Sequence, residues 1–180
     1  MVGSIGDIRF AKQIVEEVKE ELREENISCR TDVKVGIMIE IPSIALMADI
    51  AASEVDFASI GTNDLCQYLM AVDRLNPSVA KYYQSFHPAM FRLIRQIVEE
   101  FGKQKKPVSV CGEMGGNPQA VALLAGLGVR KFSMNASSLA SVKKMLSQMD
   151  ICKAERMART VLELSTAVQV EEYIKSELPD

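Results

Sequence analysis

At 180 residues the chain can fold one domain around a real core, and 48% apolar with 25% charged residues is ordinary for a globular protein. A net charge of −3 gives no reason to expect a nucleic-acid partner, and no apolar run is long enough to span a bilayer. No signal-like leader opens the chain, so the expectation is a cytoplasmic protein with no membrane partner. Cysteines at 29, 66, 111 and 152 form no CxxC pair, which argues against both a zinc site and a disulfide framework.

From Asp7 the spacing of Ile8, Ala11, Val15, Val18 and Leu22 predicts an amphipathic helix with a glutamate-rich outer face and a stop at Asn26. Val33–Ile41 (VKVGIMIEI) is nearly continuous in apolar residues, as in a strand covered on both faces. Glu40 near its end is out of character, because unpaired charge is costly to bury. Ser43 is predicted to cap a helix of small residues over Ile44–Ala52. Asp56–Arg74 (DFASIGTNDLCQYLMAVDR) then begins as a strand, Phe57–Ile60, and breaks at Gly61 into the polar Thr62, Asn63 and Asp64. An apolar helical pattern follows through Leu65, Tyr68, Leu69 and Val72 and ends at Asp73-Arg74.

After an irregular stretch, His87-Pro88 opens a strong helix with Phe91, Ile94, Val98 and Phe101 on its buried stripe. His87 reads as a structural or capping residue, and Tyr82, Tyr83, Met145 and Met149 read as packing residues. Pro107–Glu113 (PVSVCGE) is a third strand; Asn117 caps the next helix with Pro118 at its first position, and Gly126 and Gly128 stop it. Val129–Met134 is a fourth strand, followed by Asn135 and a helix capped by Ser137 or Ser138. Residues 151–180 carry no strand pattern and are expected to add two helices, the second opened by a Thr166…Gln169 capping box, to barrel units over 1–150.

Strands alternating with helices predict an α/β fold with a parallel sheet of right-handed units. Each strand's carboxyl end carries polar or reactive groups: Glu40, then Asn63 and Asp64, then Cys111 and Glu113, then Asn135. In such folds these ends share one edge. With no glycine-rich fingerprint after the first strand, a (β/α) barrel is the better reading than a doubly wound sheet. Four strands are half of such a barrel, so its open edges are expected to self-associate or to limit solubility.

Glu40 and Asp64 suit one divalent cation such as magnesium, which takes one or two carboxylates with substrate oxygens and water. Either alone reads more readily as an ion-paired or solvated loop carboxylate. Asn63 can donate to a phosphate or serve a turn. Arg74 can grip an anion with its fork or pair with a nearby acid. Cys111 is either a small buried hydrophobe or, at a strand end, a group able to pass a proton to a substrate carbon.

GIMIEIPS (36–43), DFASIGTNDLCQYLMAVDR (56–74), VSVCGEMGG (108–116) and FSMN (132–135) closely resemble the phosphoenolpyruvate (PEP)-utilising enzymes. The QYxxAxDR pattern ending at Arg74, with CGEMGG, is most similar to the enzyme I branch of the bacterial sugar phosphotransferase system. PEP synthase and pyruvate, phosphate dikinase are the neighbouring alternatives, and a non-catalytic PEP-sensing or dimerisation remnant is another. The resemblance implies the C-terminal part of a PEP-binding (β/α)8 barrel that dimerises. It implies Glu40 and Asp64 as Mg2+ ligands, Asn63, Asp64 and Arg74 as substrate-binding residues, and Cys111 as the acid that protonates the enolate to pyruvate. It further implies phosphoryl transfer to a histidine on a separate N-terminal domain and on to a histidine-containing phosphocarrier protein. The motif of that histidine is not in this sequence, and neither are the family's early barrel strands, so the segment is expected to be inactive alone. Cys66 and Asn117 stand where the family more often has a small polar residue and an aspartate.

Overall fold

The computed structural model describes residues 1–178. Four parallel strands form one sheet: β1 (Gly36–Ile39), β2 (Phe57–Gly61), β3 (Val108–Cys111) and β4 (Lys131–Phe132). Their spatial order is their sequence order, 1-2-3-4, with helices between. A doubly wound sheet reverses direction from its first strand, whereas unidirectional order is how a (β/α) barrel is laid down. The fold is thus the expected α/β one, consistent with the C-terminal part of a PEP-binding barrel.

Ten α-helices lie among the described residues: α1 (Ile5–Glu24), α2 (Pro42–Leu46), α3 (Ala48–Glu54), α4 (Thr62–Leu69), α5 (Pro88–Lys103), α6 (Glu113–Gly116), α7 (Pro118–Gly126), α8 (Ala136–Gln148), α9 (Ile151–Glu163) and α10 (Ala167–Glu177). None is long and apolar enough to cross a membrane. The core lies between the helices and one face of the sheet, where Ile37, Ile39, Ala58, Ile60, Val108 and Val110 meet Phe91, Ile94 and Phe101 of α5. Burying each of those aromatic rings is worth roughly 2–3 kcal/mol.

The opposite sheet face is open. Met38 is 44% exposed and Phe57 40%, so β1 is covered on one face only, not on both as its apolar run suggests. Its apolar character still fits a barrel, whose interior is also filled by side chains.

Local chemistry sets most boundaries. Ser4 and Asp7 form a reciprocal capping box, which starts α1 two residues before the apolar pattern does. Of the predicted α1 stripe only Ile8 is buried, and Val18 is 44% exposed. The predicted helix over 44–52 is two short helices broken at Met47, and Ser43 caps neither; its hydroxyl donates to the Gly3 carbonyl. His87 does cap α5, its Nδ1 accepting from the Ala89 N–H at 3.2 Å. Asn117 and Asp150 cap α7 and α9, and the Thr166–Gln169 box opens α10. Asn135, not either serine, caps α8, accepting from the Ser138 N–H at 2.9 Å.

Candidate active site at the strand ends

The carboxyl ends of the strands form one rim, and Gly61 is its centre. Register places Gly61 beside Cys111 of β3, while Ile60 pairs with Ile39, so Glu40 follows beside Gly61 on the other flank. The Glu40 side chain crosses directly over Gly61: a Cβ there would lie 2.7 Å from Glu40 Cγ and 2.9 Å from its Oε1. Glycine is the residue that admits the carboxylate over this rung.

α4 starts on the residue after β2, so Thr62, Asn63 and Asp64 are its first turn. Thr62 is buried, and its hydroxyl donates to the Cys111 carbonyl at 2.8 Å, tying two strand ends together. Asn63 Oδ1 accepts from the Glu113 N–H at 2.9 Å, which commits its oxygen and leaves its amide hydrogens as donors. Gly112 makes this bridge possible. Its φ is +87°, and a Cβ there would come within 2.6 Å of Thr62 Oγ1 and 2.8 Å of Asn63 Oδ1.

α4 ends at Leu69, so Arg74 does not sit on a helix as its apolar pattern suggests. Ala71 takes a positive φ of 52°, which turns the chain back, and the Arg74 N–H donates to Gln67 Oε1 at 3.2 Å. Arg74 Nη2 thereby reaches Asp64 Oδ1 at 3.1 Å, both side chains remaining partly open to solvent. Partial burial, then the neighbouring Asp64 carboxylate, push the Glu40 carboxyl above its ordinary value, with the chain's amino terminus and Arg74 pulling the other way. Two carboxylates that converge like this can hold a divalent cation between them. Among the described residues no three acidic, histidine or cysteine groups gather into a complete cage.

The raised Glu40 carboxyl has a consequence for folding. Native Glu40 takes a proton more readily than the unfolded chain does, so its contribution is present below the ordinary value of 4.5 and is lost as pH rises through the folded value. Urea titrations without metal should therefore find Glu40→Gln more stable than the parent near neutral pH and equal to it at about pH 3.

Cys111 lies across the rung. Its Sγ accepts from the Ser59 hydroxyl at 3.5 Å and donates to the Ile60 carbonyl at the same distance. Beside the cluster, a cleft of about 670 Å³ opens between the ends of β2, β3 and β4, lined by Asn63, Glu113, Asn117, Ser133, Asn135 and Ser138. The five predicted residues, Glu40, Asn63, Asp64, Arg74 and Cys111, therefore come to one rim. Asn135, also a rim candidate, lines the cleft while its Oδ1 caps α8.

Three contributors escaped the sequence reading. Tyr83 was expected to pack, yet its hydroxyl donates to the Asn63 carbonyl at 3.3 Å, and burial pushes it up to about 12, so it stays a donor. Thr62 looked like one polar loop residue among three. Ser59 sat unremarked in an apolar strand, although it shares strand parity with Gly61 as Ser109 does with Cys111. Cys66, in contrast, is buried in α4 with its thiol pushed up to about 11, which makes it a packing residue.

The family described as "PEP-utilising enzyme, PEP-binding domain" matches residues 1–151. The chain belongs to the PEP-utilising enzymes. Phosphoenolpyruvate-protein phosphotransferase of Priestia megaterium is 41% identical over 176 residues, covering 98% of this chain and 31% of that protein. The proteins of the same name from Geobacillus stearothermophilus and Bacillus subtilis (strain 168) are 43% and 42% identical over 175 residues, each covering 97% of this chain. The chain spans 30–31% of the length of these PEP-utilising relatives.

Proposed function

We propose that this chain is the Mg2+- and PEP-binding part of a phosphoenolpyruvate-protein phosphotransferase. One observation carries the reading: two carboxylates, one of them paired with an arginine, and a thiol come from three consecutive strand ends around one glycine rung. The relatives' name supplies the reaction to which that arrangement answers.

Glu40 and Asp64 fit a hard divalent cation, because two carboxylates converge there and the Asp64 charge raises the proton affinity of Glu40, a cost that a cation shared between them would remove. When bound, Mg2+ would neutralise charge that gathers on substrate oxygens as the phosphoryl group departs. The chain's own groups do the rest. Arg74, held against Asp64, presents guanidinium hydrogens to an anionic substrate, and Asn63 adds its amide hydrogens. Cys111 then gives its proton to the enolate carbon, leaving pyruvate and a thiolate. The phosphoryl acceptor is a histidine of a separate N-terminal domain, which passes the group to the histidine-containing phosphocarrier protein. A cytoplasmic homodimer, inactive without that domain, belongs to the same reading. Residues 151–178 complete the same domain on this view, because α9 packs against α7 and α5.

Calorimetric titration of PEP into the chain should give binding that requires Mg2+ and disappears with chelator. Asp64→Asn should weaken it at least about 30-fold, the loss of a charged ligand group being worth about 2 kcal/mol or more. Equal binding by parent and Asp64→Asn would remove the metal site from this rim.

A further inference from the structure

We propose that Ser59 is the positioning residue for the Cys111 thiol, an inference that rests on Cys111 being the proton donor. Parallel pairing sets Ser59 level with Ser109 and Gly61 level with Cys111. Ser59 is therefore diagonal to Cys111 on the open face of the sheet. The position level with Cys111 offers no side chain, and the space above it is taken by Glu40. The thiol leans over β2 instead. It meets the Ser59 hydroxyl as donor and the Ile60 carbonyl as acceptor, each at 3.5 Å.

A cysteine side chain has three staggered positions about its first torsion. Two contacts to the neighbouring strand select the one that keeps sulfur beside the Gly61 rung. The thiol hydrogen, resting on the Ile60 carbonyl, can then be re-aimed by rotation about Cβ–Sγ alone. In the proton step the S–H bond breaks and its electron pair stays on sulfur as thiolate. The enolate carbon–carbon pair forms the new C–H bond, and an oxygen pair closes the pyruvate carbonyl. Ser59 thereafter donates to a charged acceptor, and such bonds are roughly twice as strong as neutral ones. Water returns the proton to sulfur.

The test is alkylation of Cys111 by iodoacetamide in the 180-residue chain at one fixed pH, read on the Cys111 peptide by mass spectrometry. Alkylation proceeds through the thiolate, so Ser59→Ala should slow it about fivefold, and Ser59→Thr should restore it to within about twofold. Ser59→Val, the same shape as threonine without the hydroxyl, should behave as alanine does. Ser109→Ala should change little, because that hydroxyl donates to the Ala58 carbonyl and not to sulfur. A Ser59→Ala rate equal to or above the parent's, equal rates for the threonine and valine variants, or equal slowing by Ser109→Ala would overturn the proposal. Failure of the PEP reading would appear in the binding titration and leave these rates untouched.

Discussion

Cys111→Ala is expected to separate binding from turnover. The chimaera to test carries this segment in place of the matching part of the Bacillus subtilis relative, which supplies the remaining length. The variant should bind PEP with Mg2+ within about threefold of the parent, because the thiol lies across the Gly61 rung from the Glu40–Asp64–Arg74 cluster. Pyruvate release should fall about 10²–10⁴-fold, the usual worth of a positioned general acid. Cys111→Ser should recover little, since a serine hydroxyl is far less acidic than a thiol. Coupled lactate dehydrogenase assays would read the rate and calorimetry the affinity. A drop confined to affinity would assign Cys111 to binding and take it out of the proton step.

Gly126→Ala is expected to be among the most damaging single methyl groups in the chain. At the end of α7, a Cβ on Gly126 would sit 2.1 Å from the Ala154 carbonyl oxygen and 2.5 Å from its carbon, in the backbone of α9. Backbone cannot rotate out of the way, so the two helices must part. Overpacking of this kind costs about 3 kcal/mol, visible as a lower urea midpoint. Gly102→Ala is the matched control: nothing lies within 4 Å of its Cβ, and the alanine should be neutral or stabilise by up to about 1 kcal/mol. If the Gly126 variant instead melts with the parent, α9 is not held against α7 as described, and residues 151–178 would not belong to the same cooperative unit.

The fold and the residues gathered at the candidate site were legible for different reasons. Apolar runs between helical patterns set out the four strands, and capping residues such as Asn117, Asp150 and Thr166 mark helix starts because their side chains satisfy local N–H groups. Glu40 stood out as a charge near the end of an apolar run, and Asp64 as a carboxylate where the chain leaves the sheet. Arg74 was harder: Val72 continues the helical spacing, yet the helix stops at Leu69 and a positive φ at Ala71 brings the arginine to Asp64 by a turn. Ser43 was misread because a hydroxyl that could cap locally found the Gly3 carbonyl instead, a partner 40 residues away. Tyr83 and Ser59 depend on register and distant contacts, which no spacing along the chain reveals.

The absent side chain at position 61 lets the Glu40 side chain lie directly on the main chain at the centre of the rim. Peptide planes held by sheet hydrogen bonds have no rotamers to freeze, so a guest held over this rung orders nothing in the main chain beneath that carboxylate. The entropy of binding would fall only on the arms reaching over from either flank. A fixed floor of this kind leaves those arms to decide how a guest is turned.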